Sequence, residues 1–207
     1  MPYGVEAAKR PGRPGPHATA SSRLILRAAR EELAEHGYGG STVRGVADRA
    51  GVNTSLVHYY FGSREGVLTA ALREAARLLT AGWDGAGAAP DARPRGGAEL
   101  LRRELPLWES PEWRSAVLAL IRSSVTHEET GRYLADVVRR VSPDAGGPCP
   151  HTVMIGAQLI GLMVVRHITP VEPLASADLD GLIALIAPVA ERLLAGHGEY
   201  AADPPGS

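Results

Sequence analysis

The 207-residue chain holds one cysteine, one phenylalanine and a single lysine. The lone Cys149 excludes an intrachain disulfide, and no four Cys or His residues stand at zinc-finger spacing. The only lysine, Lys9, opens no glycine-rich phosphate loop, which excludes a Walker-type nucleotide site. No G-x-S-x-G nucleophile elbow occurs, and His127-Glu128-Glu129 lacks the second His of a zinc-protease helix. The glycines of 82–87 follow no strand, so they open no dinucleotide fold. Together these absences argue against an enzyme, a cofactor or a metal. The start MPYGVEAAKRPGRPG has no apolar stretch and reads as no signal peptide. The longest apolar run, 153–165, contains Gln158 and is short for a bilayer span. The expectation is a cytoplasmic globular chain without membrane contact.

Aromatics amount to 5% and hydrophobic residues to 44%, so aliphatic side chains must fill the core. The formal net charge is −1, but it is unevenly spread. Residues 1–64 carry nine Lys/Arg against five Asp/Glu, and the remainder thirteen against eighteen. A basic head on an acidic body is the distribution expected when one end faces a polyanion.

Apolar periodicity is helical throughout, and no strand-like alternation persists. Residues 1–19 read as a disordered basic arm. Its Lys9-Arg10-Pro11-Gly12-Arg13-Pro14 has the make-up of arms that enter minor grooves, a plain tail being the alternative. A first helix from Ser21 buries Ile25, Ala28, Ala29 and Leu33 and stops at Gly37. Short helices follow: one capped by Ser41/Thr42 and closed by Gly51, one capped by Asn53. A fourth starts at Ser63. Residues 82–97 read as a helix end and loop. Helices are expected at about 98–109, 112–126, 129–141, 151–168 and 177–195, with Pro188 kinking the last. The expected fold is all-α, about nine helices. Residues 20–63 form a helix–turn–helix head, 64–197 a helical body, and 198–207 a disordered tail.

The segment TVRGVADRAGVNTSLVHYYF (42–61) joins two short helices through a glycine turn, a shape that presents the second helix to a major groove. Its outer face carries Thr54, Ser55, His58 and Tyr59, all hydrogen-bonding and none acidic. Arg44 and Arg64 flank it. The ordinary alternative is a solvated helical hairpin.

The stretches ILRAAREELAEHGY, STVRGVADRAGVN and HYYF running into GSREGVL resemble the DNA-binding domain of the tetracycline-repressor (TetR) family. The segment GAQLIGLMVVRHITPVEPLASADLDGLIALIAPVAERLL is similar to the C-terminal domain of one of its subgroups. The resemblance implies a homodimeric repressor, released from a palindromic double-stranded DNA operator by a small-molecule effector. It implies DNA contacts by Thr42, Arg44, Asn53, Thr54, Ser55, His58, Tyr59, Tyr60 and Arg64. It also places an effector among the middle helices, where Trp83, Trp108, Trp113, Arg122, His127, Met163 and Arg166 are candidates. The two apolar C-terminal helices are expected to pair with a copy through Ile155, Leu159, Leu162, Ile183, Ile186 and Leu193. Other readings are an activator or architectural DNA binder, or a small-molecule-binding helical protein without operator binding.

Overall fold

The computed structural model describes residues 16–86, 96–140 and 150–202. Those residues form nine α-helices and no strand: α1 (Pro16–Gly40), α2 (Val43–Ala50), α3 (Thr54–Phe61), α4 (Arg64–Ala86), α5 (Gly97–Glu109), α6 (Pro111–Ser124), α7 (Glu128–Arg140), α8 (Pro150–Met163) and α9 (Leu179–Ala202). A π-helical turn, Val164–Ile168, continues α8. Two boundaries move outward from expectation. Helix α1 begins at Pro16, inside the segment read as a disordered arm, and α9 runs to Ala202, into the segment read as a tail. The minor-groove candidates at 9–14 lie outside the described residues.

The local reasons for these elements are on the surface of the sequence. Gly37 sits at φ 67°, a left-handed value that kinks α1 at little cost only for glycine. Thr42 and Asn53 cap α2 and α3, accepting from the N–H groups of Gly45 (2.9 Å) and Leu56 (2.8 Å). Gly51, left-handed at φ 65°, closes α2 and turns the chain into α3. Ser63 accepts from Gly66 N–H (3.0 Å) and starts α4.

One core runs through head and body. Ile25, Ala28, Ala29 and Leu33 are buried as the helical spacing requires, against Val46, Ala47 and Val57 of the head and Val67, Leu68, Ala71 and Leu72 of α4. Helix α1 lies along α6, and Arg30 fixes the contact. Its side chain is 4% exposed and bonds Ser115 Oγ at 3.0 Å, with Glu74 and Glu112 each 3.8 Å away. At the far end α5 packs on α9. There the Gly97 N–H donates to the Glu191 carboxylate, which caps α5 from another helix. Helix α8 and its π turn make a 19-residue apolar span, longer than the run 153–165 read from sequence and passing the length and composition of a membrane helix. It is packed between α7 and α9, with Thr152, Ile155, Gly156, Leu159, Leu162 and Met163 turned into the core.

Two predictions follow from this packing. A Cβ on Gly97 would lie 2.6 Å from Glu191 N and 2.7 Å from Ala187 O, both backbone atoms that cannot yield. Gly97→Ala is expected to destabilise the protein by about 1–3 kcal/mol. Gly131→Ala, whose new methyl would meet nothing nearer than 3.9 Å, should leave the melting temperature unchanged or raise it. Glu104 is buried on α5 with Arg103 as its ion-pair partner at 2.7 Å, and burial pushes its carboxyl above the usual range. A raised folded pKa means that the stability this group contributes is full at low pH and fades as pH rises through that pKa. Denaturant melts from pH 4 to 8 should therefore show Glu104→Gln gaining on the wild-type protein as pH rises.

Candidate nucleic-acid interface

The head is built on a buried carboxylate. Glu32 lies on the core stripe of α1, its side chain 6% exposed, and reaches across to α2. It accepts from Arg49 Nε at 2.8 Å and from the Thr42 N–H at 3.4 Å, with His36 Nδ1 at 3.5 Å. Gly45 lies against it, so that a Cβ there would oblige the Glu32 carboxyl group to shift. Arg49 also grips Glu35 on the surface and holds that carboxyl below its usual range. Helix α2 is thus locked to α1, and α3 follows through the Gly51 turn.

On this support the expected face stands clear of the body. Thr54, Ser55, His58 and Tyr59 are all exposed, Tyr59 to 78%. The Tyr59 ring leans edge-on against Tyr60, centroids 5.2 Å apart, which limits its swing. Tyr60 itself is half-buried against the head's core. His58 Nδ1 lies 3.1 Å from Gly62 O at the end of α3, so the ring N–H there donates to that carbonyl and Nε2 is left unengaged. Thr42 and Asn53 spend one oxygen each on capping, yet the Thr hydroxyl hydrogen and the Asn amide hydrogens remain to donate outward. The Arg44 side chain is 88% exposed, with Asp48 3.8 Å away one turn on. No acidic side chain belongs to α3 or its two caps.

Arg64 is placed differently. Its guanidinium donates to the carbonyls of Ser41 (2.8 Å), Gly39 (3.3 Å) and Tyr38, and sits over the Tyr38 ring. Those bonds tie the first turn of α4 to the link between α1 and α2, so the cation already has partners within the head.

The effector candidates do not gather round one cavity among the described residues. Trp108, Trp113 and Met163 are core residues. Arg122 lies at the junction with α1, its backbone against Gly37 and its Nε buried without a hydrogen bond. His127 stacks on Tyr38. Arg166 bonds Glu109 (2.8 Å) and the carbonyls of Leu174 (2.6 Å) and Ala177 (2.9 Å), fastening the connection between α8 and α9. The Trp83 side chain lies outside the described residues. Three open grooves of about 560–610 Å³ run along α4, α7 and α8, and none of the seven lines them. Of the six pairing candidates, Ile155, Leu159, Leu162 and Ile183 are buried within this chain, while Ile186 and Leu193 are half-buried. The outer faces of the same helices carry other residues: Met154, Ala157, Gln158 and Gly161 on α8, and Ala184, Leu185 and Pro188 on α9.

Sequence reasoning missed Glu32, Arg49 and Tyr38. A signal for the first existed: Glu32 stands seven residues after Ile25, on the buried stripe, where a carboxylate demands a partner.

Comparison with known proteins agrees with this geometry. A family described as "Bacterial regulatory proteins, tetR family" matches residues 25–71, and one described as "Tetracyclin repressor-like, C-terminal domain" matches residues 95–194. The chain is 32% identical over 106 residues to the HTH-type transcriptional repressor AcnR of Corynebacterium glutamicum, covering 51% of this chain and 52% of that protein. It is 35% identical over 71 residues to the HTH-type transcriptional regulator BetI of Burkholderia mallei, covering 34% and 36%. It thus spans about half the length of AcnR or less of these curated relatives. A TetR-family regulator from Streptomyces coelicolor superposes at TM-score 0.53 with 26% identity, over 90% of this chain and 99% of that one. A transcriptional regulator from Rhodococcus shares the fold at TM-score 0.61 and 20% identity, over 85% and 97%. With both domains matched in their expected order, the chain belongs to the TetR family of bacterial regulatory proteins.

Proposed function

We propose that the chain is a sequence-specific DNA-binding transcriptional regulator: a homodimer that represses by occupying a palindromic operator and leaves it when a small molecule binds the helical body. The observation that carries the reading is the exposed, acid-free face of α3 beside Arg44, held rigid by the Glu32 lock. Thr54, Ser55, His58 and Tyr59 supply hydrogen bonds and an aromatic edge for bases, while Thr42, Asn53 and Arg44 serve the flanking phosphates. The names of the relatives, a repressor and a regulator, agree with it.

Dimerisation is assigned to the outer faces of α8 and α9. Met154, Ala157 and Gly161 recur at helical spacing on one, and Ala184, Leu185 and Pro188 on the other; Met154 is 49% and Leu185 62% exposed. Small residues there permit close helix approach, and a second copy would bury these apolar side chains together with Gln158. The two heads would then be held at a fixed separation, matching half-sites about one turn of DNA, or a small multiple of it, apart.

The test is selection of bound fragments from a genomic library, then titration of the best site at several salt concentrations. A palindromic site with steep salt dependence is expected. Tyr59→Ala should lose about 1–3 kcal/mol of operator affinity while melting at the wild-type temperature. Arg44→Ala should weaken binding and flatten the salt slope by about one unit. Arg64→Ala is expected instead to lower the melting temperature, because its bonds are internal. Weak, sequence-independent binding that the Arg44→Ala/Tyr59→Ala double variant leaves unchanged would overturn the reading. Leu185→Arg should convert the dimer to monomer in sedimentation, and a dimer that persists would move the interface elsewhere.

A further inference from the structure

Two elements of different origin converge on the side chain of Tyr38, at the end of α1. From the turn between α6 and α7, the His127 ring stacks on it with centroids 4.1 Å apart and planes 22° from parallel. From the first turn of α4, the Arg64 guanidinium carbon lies 5.3 Å from its ring centre. Both neighbours are themselves fixed. His127 Nδ1 is 2.8 Å from the hydroxyl of the buried Thr130, and its N–H donates to Ser123 O at 2.9 Å. Arg64 is held by the carbonyls of Ser41 and Gly39 as well as that of Tyr38. One residue earlier, Gly37 lets α1 approach α6 so closely that a Cβ there would stand 3.2 Å from Arg122 O. Four residues after Tyr38 comes Thr42, the cap of α2 and the start of the DNA-facing hairpin.

We infer that Tyr38 is a positioning residue that sets the angle of the helix–turn–helix head on the body, with His127 as its contact on the α6–α7 turn and Arg64 as its contact on the first turn of α4, where head and body join. It touches no DNA. Stacking and cation–π attraction are directional, so they hold an angle where aliphatic packing alone would allow sliding. In a dimer this angle determines how far apart the two recognition helices stand, and therefore which half-site spacing is accepted. A displacement of the α6–α7 turn is felt by the head at this ring.

The inference rests on the operator reading for its consequence on DNA but not for the geometry, so two measurements separate them. In the first, spin labels are placed on the head and the body through Ser55→Cys and Arg132→Cys in a Cys149→Ser background, diluted with unlabelled chain. The intramolecular distance distribution should be narrow in the parent, broad with Tyr38→Ala or His127→Ala, and narrow again with Tyr38→Phe, which keeps the ring. In the second, operators whose half-site spacing varies by single base pairs are titrated with the unlabelled variants. Tyr38→Ala should lose about tenfold at the preferred spacing and tolerate others better, with affinity for an isolated half-site unchanged and Tyr38→Phe restoring the profile. A distribution as narrow in both alanine variants as in the parent would overturn the inference. So would an affinity loss equal at every spacing and at the single half-site, the signature of a merely structural defect. Should labels broaden as expected while the parent protein selects no DNA sequence, the positioning role stands and the operator reading falls.

Discussion

Everything the head presents depends on the Glu32 carboxylate. A buried, ionised group is costly unless its oxygens are met, and here they are met by Arg49, by the Thr42 N–H at the start of α2 and by His36. Such an interaction adds little to net stability compared with an apolar pair of the same shape. What it adds is uniqueness, because a helix with one polar anchor in an otherwise aliphatic contact has one register. Helices of eight residues such as α2 and α3 have no independent stability in water. Their orientation is therefore borrowed from α1, and Glu32 and Gly45 are the point of loan.

A second buried charge does the same one level up. Arg30 lies two residues before Glu32 and turns to the body, where Ser115, Glu74 and Glu112 receive it from α6 and α4. Neighbouring positions of one helix thus fasten the head to α1 and α1 to the body. The cation thus links α1 to both α4 and α6. Such a link is what a movement of α6 would need in order to be felt by the head.

The helices and turns of the head were legible in the sequence, because their information is local; the Glu32–Arg49 contact that locks them, seventeen residues apart, was not. Caps at Thr42, Asn53 and Ser63, left-handed glycines at 37 and 51 and an outer face without acids are all decided within a few residues. The all-α body was legible too. The body's candidate sites were less so, since they depend on contacts between distant positions. Arg166, expected among the effector candidates, follows an apolar run and is held by an ion-pair partner of this chain. The partner is Glu109, fifty-seven residues away, where no periodicity could point to it. The resemblance implies a DNA contact for Arg64, yet three carbonyls within reach of its fork already hold it.

The C-terminal helices show the limit of pattern reading most plainly. Helix α8 is apolar nearly all round, so periodicity cannot distinguish the side packed on its own chain from the side left exposed. Choosing the largest residues, such as Ile155, Leu159 and Leu162, selects the intramolecular core, because bulky aliphatics are the ones that fill it. The face left over is made of alanine, glycine and methionine with a single glutamine. That composition suits helix-on-helix contact better than it suits solvent, since small side chains let two backbones approach and methionine adapts to what it meets.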